Sequence, residues 1–473
     1  MLVIISDLHL TDGTSGETIN AGAFKILRER LSDMAYDASK RGDGTYDPIE
    51  GIDLLILGDV LDAIRSTRWL EGTVRPWDDP GSREYVAKVR EITRAILAQN
   101  EASFEVLRSL SHSDSEFEAA VTVPKATRYA QPYQRAHTAP SRRLRVPVRI
   151  HYTVGNHDWF YHLPGSEYND IRREVAEAMG LANNPAEPFW HEPTDSASLM
   201  KLYEQHHVFA RHGDIYDSFN YDGNRNTSSL GDVVVIELVN RFSKQVDDEL
   251  GQRLPLACRS GLREIDNVRP NMLVPVWLSC VLEQTLAEND PLKGRIKQIW
   301  NKLVDDFFDL PVVKRRDKWG LDDVDKLQVV FNLSRHLSLE TAGKIVTQLH
   351  EWGLGTLNSN YHQFAATEPA FKDGSARFIV HGHTHHRQIV PMMSREVSRG
   401  EFMDQFYMNS GTWRRVHELA KYQPEGQRFL GYHEMTYFAF FKNNERKGRP
   451  FEMWGGALGV SPPPAAAGQG HNT

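Results

Sequence analysis

The sequence predicts an α/β protein whose strands deliver polar side chains to one place and whose core is interrupted by a large helical insertion. Three observations carry that expectation. Five apolar runs of strand length, rich in β-branched residues, each stop at a cluster of Asp, Asn or His. Between them lie stretches whose apolar residues recur at helical spacing. The composition, 40% hydrophobic and 25% charged, is that of a globular chain and not of a disordered or fibrous one.

In order, the runs are Leu2 to Ser6 ahead of Asp7 and His9, Ile52 to Leu57 ahead of Asp59, Val148 to Val154 ahead of Asn156 and His157, His207 to Arg211 ahead of His212, and Arg377 to Val380 ahead of His381. Ligands in α/β proteins gather beyond the carboxyl ends of strands, so the five clusters are expected to meet. After Ser82, a capping serine, the apolar Tyr85, Val89, Ile92 and Ile96 fall on one helical stripe. Residues 112 to 147 carry scattered Pro, Arg and Ser without a clear period and are expected as an irregular excursion. From about Tyr216 to about Asn360 the chain reads as helical. Asp290 before Pro291 starts a helix there, and Leu292, Ile296, Ile299, Leu303 and Phe307 mark its apolar face, expected as the buried core of a cap. Phe402 to Met408, Tyr432 to Phe441 and Arg449 to Trp454 complete the strands, with Asn409 to Thr412 as a turn. The expected organisation is a catalytic core in two parts, 1–215 (with an excursion at about 65–147) and 361–460, an insertion at 216–360, and a disordered tail at 461–473.

At 473 residues the chain exceeds the size at which one core stops growing, in keeping with an inserted second unit. Met1 to Asp7 lacks a basic n-region and meets an acid after four apolar residues, so it reads as a strand and not a signal peptide. The most apolar later stretch, Met272 to Leu282, is interrupted by Pro275 and too short to span a bilayer. A cytoplasmic location is the expectation. Cys258 and Cys280 cannot build a disulfide framework. A net charge of -8 argues against a broad duplex-binding face and leaves room for a small phosphorylated or nucleotide-containing substrate.

Taken singly, the motifs have bland readings. Asp7-x-His9, Gly58-Asp59-Val60-Leu61-Asp62, Gly155-Asn156-His157-Asp158 and His212-Gly213-Asp214 could each be a turn facing water. His381-Gly382-His383-Thr384-His385-His386 is stronger, because four histidines in six residues have little structural purpose and neutral imidazole is a leading metal ligand.

Together, in this order and each at a strand end, the blocks resemble those of the calcineurin-like metallophosphoesterase superfamily: Asp-x-His, Gly-Asp-x-x-Asp, Gly-Asn-His-Asp or Glu, a lone His, and Gly-His-x-His. They span residues 2 to 386, while 63–147 and 216–375 have no counterpart in the minimal family core. The resemblance implies a four-layer α-β-β-α sandwich. It implies two divalent metal ions, Mn first and Fe, Zn or Co as the other fits, with Asp7, His9, Asp59 and His385 resembling the ligands of one and Asp59, Asn156, His212 and His383 those of the other. It further implies hydrolysis of a phosphodiester or pyrophosphate by in-line attack of a metal-bridging hydroxide. On the same ground His157 meets the phosphate or leaving group and Asp62 orients it; bracing of the loop is the competing reading. His381, His386, Arg387, Asp158 and Asp214 adjoin the site as supporting or substrate-facing groups. Arg142, Arg143, Arg145, Arg149, Lys314, Arg315 and Arg316 are candidates for phosphate contact, with solvated surface the plainer reading.

Departures narrow the field. Protein Ser/Thr phosphatases carry Arg and Glu where this chain has Ala63 and Asp158. Lipid A precursor pyrophosphatases share the His-Gly-Asp and His-Gly-His-Thr-His blocks and a following helical insertion, yet place Arg at His157. Two other readings stand beside the primary one: a DNA or RNA nuclease, which needs a basic groove with stacking aromatics, and a binding or scaffold module that keeps the fold without turnover.

Overall fold

The computed structural model describes residues 1–16, 18–112, 119–125, 140–317, 322–335, 337, 344–346, 360–420 and 429–460. It is an α/β architecture with mixed sheets. The larger sheet runs β5 (Val148–Thr153), β2 (Ile52–Leu57), β1 (Leu2–Ile5), β12 (Phe429–Phe440), β11 (Arg415–Leu419) and β7 (Val268–Arg269), with β13 (Phe451–Val460) also on β12. Within it β1, β2 and β5 are parallel, in the register Leu2↔Asp53 and Ile52↔Val148, and β12 is antiparallel to β1. The smaller sheet runs β6 (Val208–Ala210), β8 (Phe378–His381), β10 (Glu401–Asn409) and β9 (Gln388–Ser398), its first three strands parallel.

Alternation along β1 explains how the sheets are covered. Val3 and Ile5 join a core with Phe24, Leu27 and Leu31 of helix α1 (Ala21–Ala38) and Val89, Ile92 and Ile96 of α2 (Arg83–Gln99). Leu2 and Ile4 point the other way, into a cluster with Val208, Phe378, Val380 and Met408 of the smaller sheet. The far face of the smaller sheet presents Phe209, Ile379 and Tyr407 to Tyr361, Ala365 and Phe371. The period of two in these buried strands, and not their apolar content alone, thus holds sheet and helix layers together.

The five expected strands and the helix capped by Ser82 are present, the Ser82 hydroxyl accepting from the Tyr85 amide. The Asp290 start is likewise formed, its carboxylate accepting from the Leu292 amide at the head of α3 (Pro291–Asp309). Helices between 230 and 334 share a core of their own, in which Ile296, Ile299, Leu303 and Phe307 of α3 meet Trp277, Val281 and Phe331. That apolar stripe is buried. Two features differ from expectation. Among the described residues the 112–147 stretch holds a small antiparallel ladder, β3 (Thr122–Pro124) with β4 (Arg143–Arg145), whose strands are too short to print a period. The helical segment also contributes β7, which adds to the core sheet beside β11. The expected tail at 461–473 lies outside the described residues. No helix among the described residues is long and apolar enough to cross a membrane.

Candidate metal centre

Every predicted ligand stands within five residues of a strand's carboxyl end. Asp7 and His9 follow β1, Asp59 follows β2, Asn156 follows β5, His212 follows β6, and His383 and His385 follow β8. The chain turns sharply at these points. Of ten non-glycine residues with left-handed backbone among those described, five are Asp7, His9, Asp59, His383 and His385, a conformation that persists only where surrounding contacts fix it. Space is made by glycine. A Cβ on Gly155 would lie 2.3 Å from Asp59 Oδ1, and one on Gly382 would lie 2.5 Å from Asp7 Oδ2.

The seven side chains form two sets that share Asp59. In the first, Asp7, His9, Asp59 and His385 offer ligand atoms mutually within 4.8 Å. His9 Nε2 lies 2.8 Å from His385 Nε2 and 3.7 Å from Asp59 Oδ2, and His385 Nε2 lies 3.4 Å from Asp7 Oδ1. In the second, His212 Nε2 is 3.3 Å from both Asp59 Oδ2 and Asn156 Oδ1, and His383 Nδ1 is 3.0 Å from Asn156 Oδ1.

Hydrogen bonds behind these groups decide which ring nitrogens face inward. His9 Nδ1 is held by Asp62 Oδ2 at 2.8 Å, His212 Nδ1 donates to the Leu57 carbonyl at 2.9 Å, and His383 Nε2 is held by Asp217 Oδ2 at 3.1 Å. In each neutral ring the opposite nitrogen then carries a lone pair aimed at carboxylate or amide oxygens. Acceptors facing acceptors in a buried space call for positive charge between them. Electrostatics agree. Burial opposes charge on His212, yet the carboxylates of Asp59 and Asp7 overcome it and hold its pKa well above the ordinary value. Burial together with the charge of Asp59 raises Asp7 to about 6, against the pull of His212. A divalent cation would replace the proton those carboxylates draw in, and the mixture of oxygen and imidazole donors without thiolate suits such ions. The clustered Asp and His residues can therefore coordinate a binuclear metal site.

His157 and Asp62 flank the centre. His157 Nδ1 is 2.7 Å from Asp62 Oδ1, and its amide donates to Asp59 Oδ1 at 2.8 Å. Burial disfavours its charge, but Asp62 and Asp59 more than compensate and raise its pKa to about 9. Asp158 braces the loops and does not reach inward, accepting from the Val60 and Gly155 amides and the Tyr152 hydroxyl. Asp214 pairs with Arg225. His381 is buried behind the site, 3.6 Å from Glu368, while His386 and Arg387 turn to Glu418 and Glu434. Several phosphate-binding candidates are engaged elsewhere: Arg143 with Thr122, Arg145 with the His112 carbonyl, Arg149 with Asp53, Lys314 with Asp309 and Arg316 with Asp222.

A cavity of about 280 Å³ opens beside the centre, and its lining includes Asp59, Asn156, His157, His383 and His385 together with Phe219, Phe331 and Arg269. Sequence reasoning missed Asp217, Arg65 and Arg269. Arg65 could have been found three residues after Asp62, to which it is bound at 3.1 Å, whereas nothing local marks Arg269. No protein-family model and no curated protein matches this chain.

Proposed function

We propose that the chain is a binuclear metal-dependent phosphoesterase that hydrolyses a phosphodiester or pyrophosphate bond. The observation that carries this reading is the convergence of seven oxygen- and nitrogen-bearing side chains, from five strand ends, on the shared carboxylate of Asp59. Asp7, His9, Asp59 and His385 would hold one ion, and Asp59, Asn156, His212 and His383 the other, with Mn the first candidate and Fe, Zn or Co the alternatives that the donors also accept. When bound, such a pair supplies an activated water and neutralises charge on the phosphoryl oxygens. The chain's own residues do the rest. Asp62 fixes the His157 ring through Nδ1, leaving Nε2 to give a proton to the departing oxygen. Aromatic residues that line the cavity, Phe219 and Phe331, exclude water from the reacting bond.

In this reading residues 1–215 and 361–460 are the two halves of a four-layer α-β-β-α catalytic sandwich, and 216–360 is a helical cap that selects the substrate. The test is hydrolysis of aryl monophosphate and aryl phosphodiester reporters by the purified protein with Mn, repeated after chelation. Activity that survives chelation overturns the metal-dependent reading. Tight binding of two Mn with no turnover of either reporter favours the inactive binding module.

A further inference from the structure

The cavity beside the candidate metal centre is lined by one cation, Arg269, that no described carboxylate meets at ion-pair distance, although Asp266, Asp7 and Asp62 act on it from further off. Arg269 ends β7, the strand through which the helical segment joins the core sheet. Its three hydrogen bonds all leave from Nη1, to the Asp266 carbonyl at 2.8 Å, the Val268 carbonyl at 2.9 Å and Asn271 Oδ1 at 2.9 Å. These clamp one edge of the guanidinium, and among the described residues Nε and Nη2 hydrogen-bond to nothing. The other cations nearby are covered. Arg65 Nε lies 3.1 Å from Asp62 Oδ2 and 3.5 Å from Asp266 Oδ2, and Lys326, which also lines the cavity, pairs with Asp323 at 2.9 Å. Burial lowers the pKa of Arg269 to about 10, which leaves it cationic at neutral pH. A rigidly clamped guanidinium with open N–H groups is shaped to grip phosphoryl oxygens in pairs.

We propose that Arg269 binds a second phosphoryl group of the substrate, so that the preferred scissile bond is a phosphoanhydride. This rests on the phosphoesterase reading above and deepens it. The phosphorus under attack lies among Asp59, Asn156 and His157, and Arg269 holds the phosphoryl oxygens beyond the bridging oxygen. One water is consumed. Its oxygen joins the attacked phosphorus, the bridging P–O bond breaks with its electron pair on the departing phosphate, and two phosphate monoesters leave with two protons released to solvent. A diester of two alcohols has no second phosphoryl group to offer Arg269.

The experiment compares diphenyl diphosphate with diphenyl phosphate, which carry the same aryl groups and differ by one phosphoryl unit. In the Mn-loaded full chain, Arg269→Gln should lower the ratio of kcat/KM for the diphosphate to that for the diester by about 100-fold, and Arg269→Lys by about 10-fold because a point charge replaces the fork. Calorimetric titration gives a readout without turnover: methylenediphosphonate, whose P–C–P bridge cannot be hydrolysed, should bind the wild type more tightly than methylphosphonate, and Arg269→Gln should erase that difference. Thermal melts and Mn stoichiometry check that each variant is folded and loaded; the lysine variant carries the test if the glutamine variant is not. Equal loss on both substrates, or an unchanged preference for methylenediphosphonate, overturns the role of Arg269 while leaving the phosphoesterase reading in place. Failure of the loaded wild type to hydrolyse either compound removes that reading, and the proposal with it.

Discussion

His157 and Asp62 are joined at 2.7 Å, and the second oxygen of the same carboxylate holds His9 at 2.8 Å. One buried acid thereby orients both a predicted metal ligand and a predicted proton donor. The two roles separate by mutation. His157→Asn is expected to lower kcat by about 100-fold or more while Mn content stays at the wild-type level. The loss should be smaller for reporters with a good leaving group such as para-nitrophenolate, which needs no proton, than for alkyl esters. Parallel loss of Mn in this variant, measured by elemental analysis, would reduce His157 to a brace of the loop.

Asp62→Asn should behave differently, because it disturbs His9 as well. Outer partners of ligating histidines typically change metal affinity by about 10- to 100-fold. The expected outcome is weaker Mn binding at one of two sites together with reduced kcat, whereas Asp59→Ala, which removes the shared carboxylate, should weaken both sites. Titration of the chelated protein with Mn, followed through recovery of reporter hydrolysis, separates one-site from two-site loss.

Much of this centre was legible in the sequence because each ligand sits in a short block that ends a strand, and strand runs such as Leu54–Leu57 are continuous apolar stretches. What was hidden has physical reasons. β7 is two residues long and exists only because β11 pairs with it, so no pattern could announce Arg269. β9 contains Pro391, a residue that demotes a strand; it is tolerated because β9 lies at the sheet edge. Asp217 is recognisable as a partner of His383 only once the chain is folded. The arginines of 142–149 looked suited to phosphate until Arg149 was found on Asp53.

That last pair makes a prediction about acid stability. Asp53 is buried on β2, 2.8 Å and 2.9 Å from Arg149 and 2.9 Å from His151. Burial works against its charge, yet the hydrogen bonds from His151 and Arg149 win and hold its pKa below the ordinary carboxylate value. A depressed folded-state pKa contributes stability that is present above the unfolded value, about 3.9, and is lost as pH falls through the folded one. Asp53→Asn should therefore destabilise by about 1–3 kcal/mol at pH 7, with the gap to wild type closing below about pH 4. Urea melts at pH 7 and at pH 3 measure it; a gap independent of pH would show that the side chain acts by packing.

Two glycines distinguish space needed for chemistry from space that is merely empty. Gly155 turns beside the centre, where a Cβ would stand 2.3 Å from Asp59 Oδ1 and 2.7 Å from both Nε2 and Cδ2 of His212. Neither group can yield without leaving the convergence point, since His212 is tied to the Leu57 carbonyl and Asp59 to the His157 amide. Gly294 lies exposed within α3, and a Cβ there would meet nothing within 4 Å. Gly294→Ala should raise stability by about 0.5–1 kcal/mol, the ordinary helix preference for alanine, and leave Mn binding alone. Gly155→Ala should cost about 1–3 kcal/mol through overpacking and weaken Mn binding as well, because relief of the clash moves a ligand. Were Gly155→Ala to lose stability yet bind Mn as the wild type does, Asp59 and His212 would have room to spare, and the tight convergence on which the metal assignment depends would not be required.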